Sequence, residues 1–147
     1  MSGGRSPGRF IDQLLELDSE HALAKYTWRE EDCAGHFPGN PIVPGVKMLE
    51  MAAQTAVAAW GLYLSGGADD ARDAFFTGVD RAVFKQSVRP GETALCRAAF
   101  GRGGSFRDGR MVADVELTFQ GGEKDGETIL AGTIAGVRAP QDAEDLR

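Results

Sequence analysis

Hydrophobic and polar positions alternate along much of this chain, and the alternation predicts strands. Residues 21–28 give a clear run, with four apolar residues on one side, Ala22, Ala24, Tyr26 and Trp28. Residues 10–17 suit either a helix or a strand, and turn-forming residues follow at 18–20. We therefore predict that the two runs form a hairpin.

The second half of the chain repeats this alternation in strand-like segments. The segments are residues 74–88, 92–102, 110–120 and 127–137. Breaks rich in Gly, Asp or Pro separate them at residues 89–92, 103–109 and 121–126. Such breaks are typical of hairpin connections, so an antiparallel sheet is predicted.

Between the two strand regions lies one long apolar segment that predicts a helix. It should begin near Pro44 and Gly45 and end near Leu64, where Gly-rich sequence follows. Strands, one helix and more strands indicate an α+β fold in which an antiparallel sheet wraps the helix. At 147 residues we expect one domain, ordered over about residues 9–137, with both termini flexible.

Composition and charge narrow the range of possible binding partners and cellular locations. The net charge of −6 argues against binding to nucleic acid or to an anionic membrane surface. The apolar run is too short and too polar at its start to cross a bilayer, and the N-terminus does not resemble a secretory signal. Cys33 and Cys96 have no metal-ligand or redox spacing, and His21 and His36 stand in no ligand cluster. A cytoplasmic protein without a bound metal is expected.

A polar stripe interrupts the apolar helix. Lys47, Glu50 and Gln54 are spaced three and four residues apart and share one helical face. The stripe is either a solvent-exposed face at the helix N-terminus or a carboxylate placed against an apolar cavity. In the second case Glu50 is a candidate catalytic group, because an unpaired carboxylate is costly in apolar surroundings.

His36 stands in a segment that is rich in proline and glycine. Its neighbours Pro38, Pro41 and Pro44 restrict the backbone, so the segment can hold one side chain rigidly at the start of the helix. The first amides of the helix, at Gly45 and Val46, lack partners within it and could stabilise an oxyanion. A histidine, a carboxylate and free amides together suit proton abstraction next to a carbonyl.

These residues also carry a family resemblance. "HFPG" at residues 36–39, "PIVPG" at 41–45 and "EMAAQ" at 50–54 resemble the active-site segment of the (R)-3-hydroxyacyl-acyl-carrier-protein dehydratases, which have the hot-dog fold. The segment at residues 75–92 resembles that family's second signature. The resemblance covers most of the chain and implies a lyase of fatty acid or polyketide biosynthesis.

The resemblance implies a mechanism and a pocket. His36 would abstract the α-proton of a 3-hydroxyacyl thioester, and Glu50 of the partner subunit would protonate or orient the departing hydroxyl. The Gly45 amide, with that of Val46, would hold the thioester carbonyl, and the product would be a trans-2-enoyl thioester. Three further residues would line the pocket, Phe37, Pro44 and Gln54, and Gln54 could instead orient Glu50. No cofactor is implied beyond the phosphopantetheine arm that carries the substrate, and a homodimer is the smallest assembly that completes the site.

An acyl carrier protein is the partner that the resemblance implies. A basic landing site for this acidic protein could be formed by Arg81, Lys85, Arg89 and Lys47. The same residues could instead be an ordinary solvated strand face. Lys47 stands where an apolar residue is usual in the family, and Val43 where methionine is, which could alter the acyl chain or the carrier accepted.

Other functions remain open on the sequence alone. A hot-dog hydratase or thioesterase that acts on coenzyme A thioesters is one alternative, and a non-catalytic subunit of a heterodimer is another. The related isomerase branch has an aspartate where Glu50 stands, so double-bond isomerisation is not expected. Cys33 as a nucleophile is a further alternative, although the spacing predicts no adjacent base.

Overall fold

A computed structural model describes residues 9–18, 20–33, 39–59, 74–99, 106–107 and 110–138. One main helix, α1 (Gly45–Ala53), continues directly as a π-helical segment, Gln54–Ala59. A short 3₁₀ turn, Glu30–Cys33, precedes it. Seven strands make up the rest: β1 (Gln13–Leu17), β2 (His21–Thr27), β3 (Ala74–Phe84), β4 (Thr93–Ala99), β5 (Phe106–Arg107), β6 (Arg110–Gln120) and β7 (Thr128–Arg138).

The strands form a single antiparallel sheet in the order β1-β2-β4-β6-β7-β3, and β5 adds a short ladder to β6. The predicted β1–β2 hairpin is confirmed, with Leu17 opposite Ala22. The strand pairings predicted around the breaks at residues 103–109 and 121–126 are also confirmed, because β4 pairs with β6 and β6 pairs with β7, although most of the first break lies outside the described residues.

The hairpin predicted at residues 89–92 is wrong. β3 pairs with β7 at one edge of the sheet, whereas β4 lies between β2 and β6. The local turn does form, with Gly91 at a φ of +92°. It is hydrogen-bonded to the residue that follows β2, because the Gly91 amide donates to the Trp28 carbonyl and the Trp28 amide donates to the Glu92 carbonyl. The residues of a turn determine that the chain reverses locally, but they do not determine which distant strand pairs with the strand before the turn.

The core lies between the helix and one face of the sheet. All four apolar residues on the predicted inner side of β2 are buried, including the large Tyr26 and Trp28. Many of the other buried strand residues are alanines, which let a helix approach the sheet closely. They are Ala94, Ala98 and Ala113, in one cluster with the helix residues Met48, Met51, Ala52 and Ala56. The α+β class and the hot-dog arrangement are confirmed.

The helix begins at Gly45, as predicted. Pro44 precedes it in an extended conformation with φ −61° and ψ 139°, and Val43 donates its amide to the carbonyl of Val88 at 2.8 Å. The wider π turns start at Gln54, and Thr55 donates its hydroxyl to the carbonyl of Met51 at 2.9 Å. The predicted helix end at Leu64 lies outside the described residues, and so do the predicted flexible termini, residues 1–8 and 138–147, except for Arg138, which is the last residue of β7.

A bulge distorts β3 where it runs beside β7. The register shifts between Asp80 and Val83, and Arg81 adopts a left-handed φ of 61° that is unusual for a residue with a side chain. Gly132 lies opposite, where a Cβ atom would stand 2.9 Å from the Cα of Ala82. The bulge therefore depends on glycine at position 132, and it leaves the Arg81 side chain exposed.

In the part of the chain that the structure describes, no helix has the length and apolar character needed to cross a membrane.

Alkaline pH should reveal the burial of Cys96. Burial raises the pKa of this thiol from its ordinary value of 9.0 to about 12, while a hydrogen bond with Thr55 acts weakly in the opposite direction. The thiol therefore ionises at a lower pH in the unfolded chain than in the native protein. The contribution of the neutral thiol to stability is fully present below about pH 9, and it is lost as the pH rises toward about 12. We expect the wild-type free energy of unfolding to fall by up to about 1.4 kcal/mol per pH unit more than that of Cys96→Ala.

Urea unfolding of both proteins at neutral pH and at several alkaline values measures this difference. The Cys96→Ala variant serves as the control, since it keeps every other titrating group. Equal losses in the two proteins would show that the thiol of Cys96 does not titrate differently in the native and unfolded states.

Candidate active site

The structure describes most of the predicted site, but not all of it. His36 and Phe37 lie outside the described residues, so only the flanks of their segment are seen, ending at Cys33 and resuming at Gly39. Six predicted residues lie at the start of the helix or along it: Pro44, Gly45, Val46, Lys47, Glu50 and Gln54. The three remaining cations lie on β3 or in the loop that follows it: Arg81, Lys85 and Arg89.

Gln54 holds the carboxylate of Glu50 from one turn further along the helix. The Gln54 Nε2 group donates to Glu50 Oε2 at 3.2 Å, and Gln54 Oε1 accepts the backbone N–H of Phe10 at 2.7 Å. The bond from Phe10 determines the amide orientation, because only the oxygen of Gln54 can accept it. The donor end of the amide therefore faces Glu50, which gives this carboxylate a defined neighbour.

Within the single chain Glu50 is exposed to solvent. The helix buries Met48, Met51 and Ala52 in the core, and its polar stripe lies on the other side. In the isolated chain the solvent-exposed interpretation therefore applies to Glu50, whereas Lys47 and Gln54 are partly buried and bonded within the chain. The described residues of a single chain therefore do not give Glu50 the apolar surroundings that a catalytic role would need.

Gly45 starts the helix in close contact with an aromatic ring. A Cβ atom at this position would lie 3.0 Å from Cε1 of Phe84, so the ring occupies the space that a side chain would need. Lys47 donates its amide to the Pro44 carbonyl at 3.0 Å. The amides of Gly45 and Val46 precede that bond, in the first turn of the helix, where N–H groups have no intrahelical acceptor.

An open groove runs beside this helix start. Its volume is about 350 Å³. The residues that line it include Ile42, Val43, Gly45, Met48, Phe84 and Lys85. It is mainly apolar, with the exposed Lys85 as its one cation among the described lining residues. An extended apolar chain could lie against such a surface with its end near the first helical amides.

Two of the four cations predicted to bind a carrier protein make hydrogen bonds within the chain. Lys47 Nζ donates to the backbone carbonyl of Asp32 at 2.7 Å, and Arg89 Nη1 donates to Asn40 Oδ1 at 2.8 Å. Arg81 and Lys85 are exposed. The structure thus gives Lys47 and Arg89 contacts that the sequence analysis did not assign to them.

Asp32 is a residue of this region that sequence reasoning missed. Its side chain is buried, and Oδ2 accepts the hydroxyl of Tyr26 at 2.8 Å and the amide of Arg29 at 2.9 Å. Asp32 is the third residue of the 3₁₀ turn, and its carboxylate bonds back to the amide of the residue before the turn, as an acidic side chain at this position does in a capping box. That local signal was present, whereas the bond from Tyr26 required knowledge of the packing.

The other candidate chemistries gain no support from the geometry. Burial raises the pKa of the Cys33 thiol, the charges of Asp32 and Glu30 raise it further and Lys47 acts against them, so a reactive thiolate is disfavoured. His21 contacts carboxylates within the β1–β2 hairpin, at 2.6 Å from Glu16 and 3.1 Å from Asp18. Among the described residues, no group of three His, Cys, Asp or Glu side chains could hold a metal ion.

Comparison with known proteins identifies the family of this chain. The family model described as ApeI dehydratase matches residues 16–105. A 3-hydroxyacyl-[acyl-carrier-protein] dehydratase FabZ from Enterococcus faecalis is 36% identical over 127 residues, which cover 78% of this chain and 88% of the relative. The enzyme of the same name from Chlamydia trachomatis is 37% identical over 128 residues, 78% of this chain and 83% of the relative.

A solved structure shows the same fold. The dehydratase heterocomplex ApeI:P from Xenorhabdus doucetiae contains a chain that superposes with a TM-score of 0.73 at 13% identity, over 93% of this chain and 87% of that one. The matched family model spans more than half of the sequence, and the relatives align along most of their own length. The chain therefore belongs to the hot-dog-fold dehydratase family that the ApeI model describes, alongside the 3-hydroxyacyl-[acyl-carrier-protein] dehydratases it resembles in sequence.

Proposed function

We propose that this chain dehydrates (R)-3-hydroxyacyl thioesters on acyl carrier protein and forms trans-2-enoyl thioesters and water, in fatty acid or polyketide biosynthesis. Family membership supports the reaction. The observation that carries it into this chain is the arrangement along one helix. Glu50, held by Gln54, follows the Gly45 helix start and its adjoining apolar groove.

Each group has one task in this reaction. His36 takes the proton from C2, and the electron pair of that bond forms the C2=C3 double bond. The C3–O bond breaks, and Glu50 of the partner subunit gives its proton to the departing hydroxyl, which leaves as water. The amides of Gly45 and Val46 stabilise the charge that develops on the thioester oxygen. Phe37 and Pro44 line the same pocket. This elimination uses one base and one acid and consumes no oxidant or reductant, so no cofactor beyond the pantetheine arm is needed.

A second subunit is part of the proposal. Glu50 is exposed in the single chain, and so are several large apolar side chains close to it in sequence or at the edge strand β3. They are Val46, Val79, Val83 and Phe84. Exposed apolar patches of this kind mark surfaces that another chain covers. A homodimer is the simplest assembly, and a heterodimer with a related subunit is the alternative, in line with the two-component complex of the structural neighbour.

The carrier protein should approach from the exposed cations. Arg81 at the β3 bulge and Lys85 beside the groove are both exposed, and either could bind acidic groups of the carrier. Arg89 and Lys47 are the less available members of the set, because their side chains already donate hydrogen bonds. A cytoplasmic location follows from the biosynthetic role and stays a prediction.

One assay tests the reaction. Purified protein is given 3-hydroxyacyl groups of several lengths on acyl carrier protein and, separately, on coenzyme A, and the absorbance of the conjugated enoyl thioester is followed. We expect turnover that is at least about tenfold faster with the carrier protein, since docking contributes binding energy near the reacting group. Release of free thiol without the enoyl product would instead indicate a thioesterase. Turnover that appears only after a second subunit is added would indicate the heterodimer.

A further inference from the structure

Phe10 donates its backbone amide to the side chain of a helix residue that is distant in the sequence. The acceptor is Oε1 of Gln54, at 2.7 Å, and 44 positions separate the two residues. The other end of the same side-chain amide, Nε2 of Gln54, donates to Oε2 of Glu50 at 3.2 Å. Phe10 is therefore the first member of a chain of two hydrogen bonds that ends on the proposed general acid.

The ring of Phe10 holds this residue in place. It is buried and packs against Tyr26, with 5.6 Å between the ring centroids, and against Trp28, with 5.4 Å. Tyr26 and Trp28 are themselves buried and pack against each other at 4.7 Å. Aromatic pairs at such distances stabilise the protein beyond the area that they bury. The backbone N–H of Phe10 is thus presented from a fixed position in the core.

Asp12 attaches the same stretch of chain a second time. Its amide donates to the Lys25 carbonyl at 2.8 Å, and its Oδ2 accepts the amide of Thr27 at 2.8 Å. Its Oδ1 accepts Nη2 of Arg29, also at 2.8 Å. The chain that leads into β1 is therefore bonded to β2 and to the residues that follow it, so the position of the Phe10 amide does not depend on the helix.

Gln54 stands where the helix changes from α to π turns. Its backbone amide donates to the carbonyls of Glu50 and Met51, and the π-helical segment begins with this residue. The helix thus fixes the backbone of Gln54, but not the orientation of its side-chain amide, because the terminal torsion of a glutamine is broad. The N–H of Phe10 selects one orientation, since only the oxygen of the amide can accept it.

Glu50 gains a defined proton position from this arrangement. It is exposed in the single chain, so packing within the chain does not select one of its rotamers. When Glu50 is protonated, Oε2 accepts the bond from Gln54 and the proton stands on Oε1. A general acid must lie within about 2.6–3.2 Å of the atom that it protonates, so the orientation of this carboxyl group matters for proton transfer.

We propose that Phe10 is a positioning residue for the dehydration reaction, because its backbone N–H orients the Gln54 amide that holds Glu50 with Oε1 as its proton-bearing oxygen. For its catalytic consequence the inference rests on the proposed function, although the hydrogen bonds themselves do not. Displacing a catalytic group by about 1 Å can cost about 100-fold in rate, so loss of this orientation is enough to slow turnover.

Two variants of Phe10 separate the effect of its amide from that of its ring. Phe10→Leu and Phe10→Pro both lose the aromatic ring, but only proline also lacks the backbone N–H. On 3-hydroxyacyl carrier protein, the kcat of Phe10→Pro should lie about tenfold below that of Phe10→Leu, with KM values within about twofold of each other. Equal kcat values in the two folded variants would overturn the inference.

A variant of Gln54 shows whether Phe10 acts through this residue. Gln54→Leu removes the acceptor and the donor together, and we expect kcat to fall by about 10- to 100-fold. Gln120→Leu makes the same change at the exposed end of β6 and should keep wild-type activity. In the Gln54→Leu background, Phe10→Leu and Phe10→Pro should differ in kcat by less than about twofold. A tenfold difference that persists there would overturn the inference, by showing that Phe10 acts by another route.

Hydrogen exchange of the Phe10 amide, followed by NMR, gives a readout that requires no turnover. This amide should exchange at least about tenfold faster in Gln54→Leu than in the wild type. The Asp12 amide, which donates to the Lys25 carbonyl, is the internal control and should keep its wild-type rate. Equal Phe10 rates in the two proteins would overturn the inference. The measurement needs no variant of Phe10, so it decides on the bond even if Phe10→Pro does not fold.

Failure of the inference and failure of the proposed function give different results. An active wild type in which the Phe10 amide exchanges independently of Gln54 would remove the role of Phe10 and leave the proposed function standing. An inactive wild type would contradict the proposed function and, with it, the catalytic role of Phe10. The exchange rates would still show whether Phe10 holds the Gln54 amide.

Discussion

Replacing His36 with alanine, or Glu50 with glutamine, should lower kcat for dehydration by about 1,000-fold or more. Alanine removes the base that takes the C2 proton. Glutamine keeps the size of Glu50 and can still accept the bond from Gln54, but it has no acidic proton to give to the leaving hydroxyl. Because both groups act in one transition state, the double variant should lose little more than either single one.

The measurement is the steady-state rate of enoyl-thioester formation, with thermal unfolding as a check that each variant folds. Glu123→Gln, in the turn between β6 and β7, makes the same chemical change at an exposed position and should keep wild-type activity. A Glu50→Gln enzyme that retained most of its kcat would show that another group protonates the hydroxyl. The proposed role of Glu50 would then be withdrawn.

Mixing the two inactive variants should restore activity. If each site uses His36 of one subunit and Glu50 of the partner subunit, a mixed dimer contains one site in which both groups are intact. The other site lacks both. Random exchange makes half of the dimers mixed, with one working site in two, so about one quarter of wild-type activity should return. This recovery follows from a site shared across the interface, which the exposure of Glu50 in the single chain favours.

Subunit exchange can be promoted by brief dilution in mild denaturant, and each variant mixed with itself is the matched control. Recovery near one quarter would establish the shared site. Absence of recovery in samples that contain mixed dimers, shown by mass spectrometry of differently tagged chains, would mean that both groups come from one chain. It would also turn attention to how a single chain could shield Glu50 from water.

Local signals in the sequence predicted much of the fold. The alternation in β2 correctly identified its buried side, because successive strand residues point to opposite faces. The helix start was correctly predicted at Gly45, because the proline before it can stand at the start of a helix but disfavours a helical conformation for the residue that precedes it. The β1–β2 hairpin also followed from residues close together in the chain. Each of these features depends on neighbours within a few positions.

The partner of β3 could not be predicted in this way. The turn at residues 89–92 suggested a hairpin, yet β3 pairs with β7 across more than forty intervening residues, such as Phe84 with Leu130. That choice depends on which strand edge is free after the rest of the sheet has formed. The bulge at Arg81 and the glycine it requires at position 132 belong to the same long-range decision.

By itself, the sequence determined the class of this protein and the residues from which its chemistry is proposed, because periodicity and motifs depend only on the order of residues. The tertiary structure decided how those residues are used. Lys47, the cation of the polar stripe, donates a hydrogen bond to the Asp32 carbonyl, and Gln54 is hydrogen-bonded to both Phe10 and Glu50. A side chain's partner depends on which distant segment packs against it, and only the folded chain brings the turn before His36 against the first turn of the helix.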